Sequence, residues 1–138
     1  RWPFFESLGR RLNGAGLKPV WIGAGNDTEV NRRLSVATCG IDATDKFNIA
    51  ALVELGRHAR FAVTNDSGPM HVLSAAGIPV FGLFGPSDWR RNHALGQRSN
   101  VIAGVEMIDT YRGANTADCL AEISADMVWQ KLESAGVL

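Results

Sequence analysis

Ala59-Arg60-Phe61-Ala62-Val63-Thr64, then Asn65-Asp66-Ser67-Gly68-Pro69-Met70-His71, then Ile78-Pro79-Val80-Phe81-Gly82-Leu83-Phe84 is the stretch that decides how this chain folds. Its first part is a short apolar run, which predicts a strand ending at Thr64. Pro69 suits the first turn of a helix, because its ring presets the backbone angle and its missing N–H would go unused there. The helix is expected over Pro69–Ala76 and is closed by Gly77. Ile78–Phe84 is a continuous apolar run bounded by glycine and proline, the pattern of a strand buried on both faces. Strand, helix and strand in such short succession describe a parallel crossover.

The same alternation extends outward. Toward the start, Phe4, Phe5, Leu8 and Leu12 recur at helical spacing after Pro3, with a stop at Asn13-Gly14. Leu17–Gly23 reads as a short strand. Asn26 or Asp27 can cap a helix carrying Val30, Leu34 and Ala37, and Cys39–Ala43 reads as a second short strand. Thr44 or Asp45 is the expected cap of a third, strongly apolar helix that includes Phe47, Leu52 and Leu55 and should pack closely on a sheet. Toward the end, Asn100–Ala103 suits an edge strand, and Ser124 can cap a last helix bearing Met127, Val128 and Leu132. The expected fold class is α/β, a Rossmann-like parallel sheet with helices on both faces. In open sheets of this kind ligands sit beyond the carboxyl ends of the strands. Function is therefore expected just after Gly23, Thr64 and Phe84.

Composition narrows the function classes. At 138 residues the chain has the size of one domain, expected to span 1–138. Lysine plus arginine equals aspartate plus glutamate at 14 each, so no overall charge draws it to nucleic acid, and no nucleic-acid partner is expected. No apolar run is long enough to span a bilayer, and no signal peptide is visible. The opening Arg1-Trp2-Pro3 reads as the middle of a longer protein. Cys39 and Cys119 lie far apart without metal-ligand spacing, which suits two ordinary reduced thiols. No metal site is expected.

The chemistry concentrates at Asp66–His71. A sharp strand-to-helix turn leaves backbone amides pointing beyond the strand end, a cradle for a phosphate. The helix dipole favours such an anion by ~0.3–1 kcal/mol, and by about 2 kcal/mol when partly buried. Gly68 is expected to supply an unusual backbone angle and close approach of a ligand. Ser67 can donate a further hydrogen bond, and His71 falls in the first helical turn. Asp66 would repel phosphate, so it suits sugar hydroxyls or a capping role. The plain alternative is that Asp66 and Ser67 only cap the helix and His71 packs locally. A serine hydrolase fits less well, since the strained elbow around a nucleophile is missing and Ser67 and His71 have no third partner. A dinucleotide oxidoreductase fits poorly too, since the third glycine after Gly23-Ala24-Gly25 would fall at Thr28.

These residues also carry a resemblance. Asp66-Ser67-Gly68-Pro69-Met70-His71, Ser74-Ala75-Ala76-Gly77, Gly77-Ile78-Pro79 and Leu83-Phe84-Gly85-Pro86-Ser87-Asp88 closely resemble, in order and spacing, the signature of the bacterial lipopolysaccharide heptosyltransferases. Arg1-Trp2-Pro3, Gly25–Glu29 and Cys119–Leu132 agree more weakly. The sequence departs from the family in lacking the lysine before Arg1, in having no glycine near Ala43-Thr44, and in following Asp88 with Trp89-Arg90-Arg91.

The resemblance implies the C-terminal, donor-binding half of a GT-B glycosyltransferase, with the N-terminal acceptor domain and its catalytic base absent from this chain. It implies transfer of heptose from ADP-heptose to the lipopolysaccharide core, inverting and independent of metal, with no cofactor beyond the donor. It assigns donor binding to Asp66, Ser67, Gly68, Met70, His71 and Glu29. Ser67 and Gly68 would hold the diphosphate, Asp66 the sugar and Glu29 the ribose, with His71 beside the phosphates. The implied partners are a nucleotide sugar and, through the missing half, the lipopolysaccharide core. The implied location is the cytoplasm, with peripheral association of the parent at the inner membrane. Beside this stand a transferase of different sugar specificity and a non-catalytic Rossmann-like binding or interaction module that kept the fold and lost the activity. Arg90, Arg91, His93 and Arg98 form a local basic cluster that suits either a phosphate or plain solvent. Trp89 could stack on a ligand or pack against its own loop.

Overall fold

The computed structural model of the chain describes residues 1–85, 87–104 and 116–138, with side chains of the last segment from Cys119 onward. Pro86, within the expected turn after Phe84, lies outside the described residues. In chain order the elements are α1 (Phe5–Gly14), β1 (Val20–Trp21), α2 (Thr28–Ala37), β2 (Ile41–Asp42), α3 (Ile49–His58), β3 (Ala62–Asn65), α4 (Gly68–Ala75), β4 (Val80–Phe84), α5 (Trp89–Asn92), β5 (Ile102–Ala103), α6 (Thr116–Ala121) and α7 (Ala125–Ser134). Every paired strand runs parallel to its neighbour. The hydrogen bonding forms two ladders, β1–β2 and β3–β4–β5. Ile22, just beyond β1, packs into the core that backs β3 and β4.

β4 explains the layering. All five of its residues are buried, and they alternate between two cores, as the two-residue period of a strand requires. Phe81 and Leu83 face one core with Trp2, Leu8 of α1, and Val128 and Leu132 of α7. Val80 and Phe84 face the other with Leu52 of α3 and Met70 and Leu73 of α4. Helices therefore cover both faces, as the apolar run predicts. Between Val80 and Phe84 stands Gly82, where a Cβ would come within 2.7 Å of the Phe84 ring and 2.9 Å of the Met70 sulfur. The missing side chain is what lets Met70 lie on the strand.

α4 ends where expected. Ala76 is its C-cap, and Gly77 follows at φ 82°, a left-handed angle that favours glycine. The third helix differs from expectation. It begins at Ile49, capped by Asn48, whose Oδ1 accepts the Ala51 amide at 2.9 Å. Thr44 and Asp45 belong instead to the turn after β2, where Asp45 takes a positive φ of 55°. The capping residue types are shared by all three positions, but it is Asn48 that stands directly before the helix with the extended backbone an N-cap needs, φ −75° and ψ 176°. α3 also packs mainly on a helix rather than on the sheet. A Cβ at Gly56 would come within 2.7 Å of Ala76 and 3.3 Å of Leu73, so its glycine sets the approach of α3 to α4. Ile49 stays 73% exposed. Cys39 is exposed and Cys119 buried, both as free thiols.

Candidate functional site

β1 and β3 end on loops that the first residues of the chain join. The backbone N–H of Trp2 donates to Asn65 Oδ1 at 3.1 Å, and Arg1 pairs with Asp27, in the 3-10 turn Gly25–Asp27 after β1. Trp2 itself is anchored deeply: its ring is 1% exposed, and its Nε1–H donates to the Ile123 carbonyl at 2.6 Å. The opening segment thus crosses between the turn that precedes α2 and the turn that precedes α4. Nothing in the sequence signals the role of Asn65, because its partner is 63 positions away.

At the end of β3, Asp66, Ser67 and Gly68 are exposed, and so is His71. The backbone puts Ser67 at the N-cap of α4, with φ −162° and ψ 166°, yet its hydroxyl does not accept a helix amide. It donates instead to the Asn65 carbonyl at 3.2 Å. Among the described residues no side chain caps α4, so the plain capping role weighed for Asp66 and Ser67 is not what these side chains do. His71 likewise stands in solvent rather than packing locally. The amide of Met70 is taken by the Ser67 carbonyl at 3.1 Å, and that of Gly68 donates to no group among the described residues. The expected unusual backbone angle at Gly68 is corrected: among the described residues the glycines with positive φ are Gly16, Gly77, Gly96 and Gly136. The space before Gly68 is nevertheless open, since a Cβ there would meet nothing within 4 Å.

Met70 differs from its neighbours. Its side chain is 1% exposed and belongs to the core beneath Gly82, so the structure gives it a packing role. Glu29 lies in the first turn of α2 and pairs with Arg32 at 2.9 Å, a contact that raises the Arg32 pKa. Its carboxylate is 79% exposed. The Asp27 side chain does not cap α2. Its Oδ2 accepts the Ala24 amide at 3.1 Å while Oδ1 meets Arg1.

Beyond β4, Asp88 Oδ1 accepts the Arg90 amide at 3.0 Å and starts the single turn of α5. Trp89 is half-buried against the α3–α4 core, with the Arg90 and Arg98 guanidinium carbons 5.1 and 5.8 Å from its ring centroid. Packing, rather than a free stacking face, is its role here. Arg90, Arg91 and Arg98 pair with no carboxylate among the described residues. A concavity of about 410 Å³ lies between β5 and α7, lined by Ile102, Met127, Lys131 and Ser134 among others. It is shallow and open, and none of the polar residues at the ends of β1, β3 and β4 lines it.

The parallel strands, the two helical layers and the polar turns at the strand ends define an α/β domain of the kind that binds ligands along its carboxyl edge. Residues 1–115 match the family described as glycosyltransferase family 9 (heptosyltransferase), and the chain belongs to that family. It is 26% identical over 146 residues to lipooligosaccharide heptosyltransferase 2 of Haemophilus influenzae, covering 96% of this chain and 42% of that protein. It is 27% identical to lipopolysaccharide heptosyltransferase 2 of Salmonella typhimurium, covering 97% of this chain and 42% of that protein. The chain thus spans about two-fifths of the length of these relatives. Among solved structures, a glycosyl transferase family 9 protein from Veillonella parvula superposes with a TM-score of 0.86 at 27% identity, over 97% of this chain and 41% of the other. The ADP-heptose lps heptosyltransferase II of E. coli superposes with a TM-score of 0.80 at 25% identity, over 97% and 41%. E. coli heptosyltransferase WaaC with ADP-2-deoxy-2-fluoro heptose shares the fold, with a TM-score of 0.70 at 22% identity. No helix among the described residues is long and apolar enough to cross a membrane.

Proposed function

We propose that this domain binds the nucleotide-sugar donor of a heptosyltransferase, with the diphosphate at the turn from β3 into α4. The observation that carries the reading is the state of Asp66, Ser67, Gly68 and His71. All are exposed at a parallel-strand end, and none of the side chains serves the capping or packing that would otherwise explain it. The Gly68 amide and the positive end of the α4 dipole suit a diphosphate oxygen. The Ser67 hydroxyl can turn from the Asn65 carbonyl to donate to the same anion. Asp66 can accept from sugar hydroxyls, and Glu29 from a ribose once it exchanges its contact with Arg32. Met70 contributes by packing beneath the turn.

In the transfer itself, an acceptor hydroxyl of the lipopolysaccharide core attacks the anomeric carbon of heptose from the face opposite the phosphate. The new carbon–oxygen bond forms as the bond to the phosphate oxygen breaks, which inverts the centre. The hydroxyl proton passes to a base supplied by the other half of the enzyme, and ADP leaves. The α4 amides and dipole stabilise the charge that gathers on the departing diphosphate, and the reaction needs no metal. The 138-residue chain by itself carries no transferase activity on this reading. It acts in the cytoplasm, with the parent meeting its acceptor at the inner membrane surface.

Calorimetric titration with ADP and ADP-heptose, beside UDP and GDP, tests the reading. Selective adenine-nucleotide binding that weakens in Asp66→Ala and His71→Ala is expected. Binding of UDP or GDP instead would move the sugar assignment, and absence of binding to all four would sink the donor-site reading for this chain. Heptose transfer by the isolated chain would contradict the missing-base argument.

A further inference from the structure

Asn65 occupies a junction that the donor-binding reading leaves unused. Its Oδ1 accepts the Trp2 amide at 3.1 Å, and its carbonyl accepts the Ser67 hydroxyl at 3.2 Å. One residue therefore meets the incoming chain through its side chain and the turn that carries Gly68 through its carbonyl, and the side-chain bond is the one that stays when the Ser67 hydroxyl turns to a ligand. Its backbone is itself fixed by pairing with Leu83 of β4, a fully buried position. On the other side of Trp2, Arg1 is paired with Asp27, which belongs to the turn leading into Glu29.

We propose that Asn65 is a positioning residue for the phosphate-bearing turn: by gripping the Trp2 backbone it fixes the opening segment against Asp66–Gly68 and holds those groups in register for the ligand. The inference rests on the donor-binding reading above. Its physical basis is preorganisation. Met70 seats the helix on the core, but the exposed residues 66–68 ahead of it have little packing of their own, so their geometry depends on the few hydrogen bonds that reach them. Trp2 is anchored independently, by its buried ring and by the indole bond to Ile123. Loss of the Asn65 side chain should therefore loosen the edge without unfolding the domain.

The test compares ADP with adenosine on the 138-residue chain, by NMR shift titration of the native protein and of Asn65→Ala. The two ligands share the nucleoside and differ in the diphosphate, so they separate disorder of the turn from general weakening. The expected result is a loss of about tenfold in ADP affinity, the order of one mispositioned hydrogen bond to a charged group, with adenosine affinity unchanged. Exchange of the Trp2 amide should accelerate in the same variant. Equal ADP affinity in both proteins would overturn the inference and leave the donor reading intact. An equal loss for ADP and adenosine would also overturn it, since Asn65 would then be merely structural. Failure of the native chain to bind either ligand would refute the donor reading, and the inference with it. Should Asn65→Ala not fold, Asn65→Ser carries the same comparison, because its shorter side chain cannot span the distance to Trp2.

Discussion

Met70 and Gly82 fit together as side chain and absence of side chain: the Met70 sulfur lies 2.9 Å from where a Cβ of Gly82 would stand. The helix that begins at the candidate phosphate turn is thereby seated directly on the central strand. A ligand site built at the start of α4 inherits the rigidity of that contact.

Gly82→Ala is accordingly expected to destabilise the domain by roughly 1–3 kcal/mol, because the added methyl overpacks a full core. The Phe84 ring, 2.7 Å from the same point, cannot retreat easily, since it is fully buried. Urea denaturation of the variant measures this directly. Combining it with Met70→Ala, which vacates space beside it, should cost less than the two single changes added together. Strict additivity would show that the two residues do not share the space.

Trp2→Phe keeps most of the buried ring but deletes the indole N–H that donates to the Ile123 carbonyl at 2.6 Å. Leaving that carbonyl without its donor in a buried setting should cost about 1–3 kcal/mol. A melting temperature lowered by several degrees is the expected readout, and an unchanged one would mean that solvent or a shifted donor replaces the bond.

Thr64 offers the opposite sign. It is 8% exposed, and its Oγ1 has no hydrogen-bond partner among the described residues. Thr64→Val replaces that hydroxyl by a methyl of similar shape and should be neutral or stabilising by about 1 kcal/mol. A destabilised variant would argue for a bound water on the hydroxyl.

The turn after β2 should make stability depend on pH. Thr44 donates to Asp42 Oδ1 from its hydroxyl at 2.7 Å and from its backbone at 3.0 Å. These bonds hold the Asp42 carboxyl below its usual pKa of 3.8. A carboxylate with a lowered folded-state pKa stabilises the protein above its unfolded value, and the effect disappears as pH falls through the folded value. Thr44→Val should therefore lose most stability near neutrality, with the gap from the native protein narrowing below pH 3.8. A remainder should persist in acid, because the Thr44 hydroxyl also accepts from Asn31 Nδ2 at 2.9 Å, and Asn31 is 2% exposed. A gap independent of pH would remove Asp42 from the account.

How much of this was readable in advance depended on the range of the interaction involved. The alternation of β4 between two cores follows from an uninterrupted apolar run, and Gly77 closes α4 as a local rule requires. The start of α3 was harder. Thr44, Asp45 and Asn48 are all capping types, and the choice among them is made by the turn after β2, where the Asp45 amide bonds the Gly23 carbonyl at 2.9 Å. The short helix α5 has too few residues for a periodicity to register. At the candidate site, the motif located Asp66–His71, but not that Met70 would face the core, which depends on the bare face of Gly82. The Trp2–Asn65 bond has no local signature at all.

The division of hydrogen bonding between β1–β2 and β3–β4–β5 has a dynamic consequence. The first ladder joins two residues with two, and Val20 and Ile41, paired across it, are 38% and 48% exposed. The second is built around a strand without an exposed residue. The domain should thus breathe unevenly, with amides of residues 20–42 exchanging through partial openings while those of β4 wait for global unfolding. The Glu29 side of the edge then belongs to a pliant foldon and the Asp66 side to a stiff one, so a ligand that touches both would act as a clasp between them.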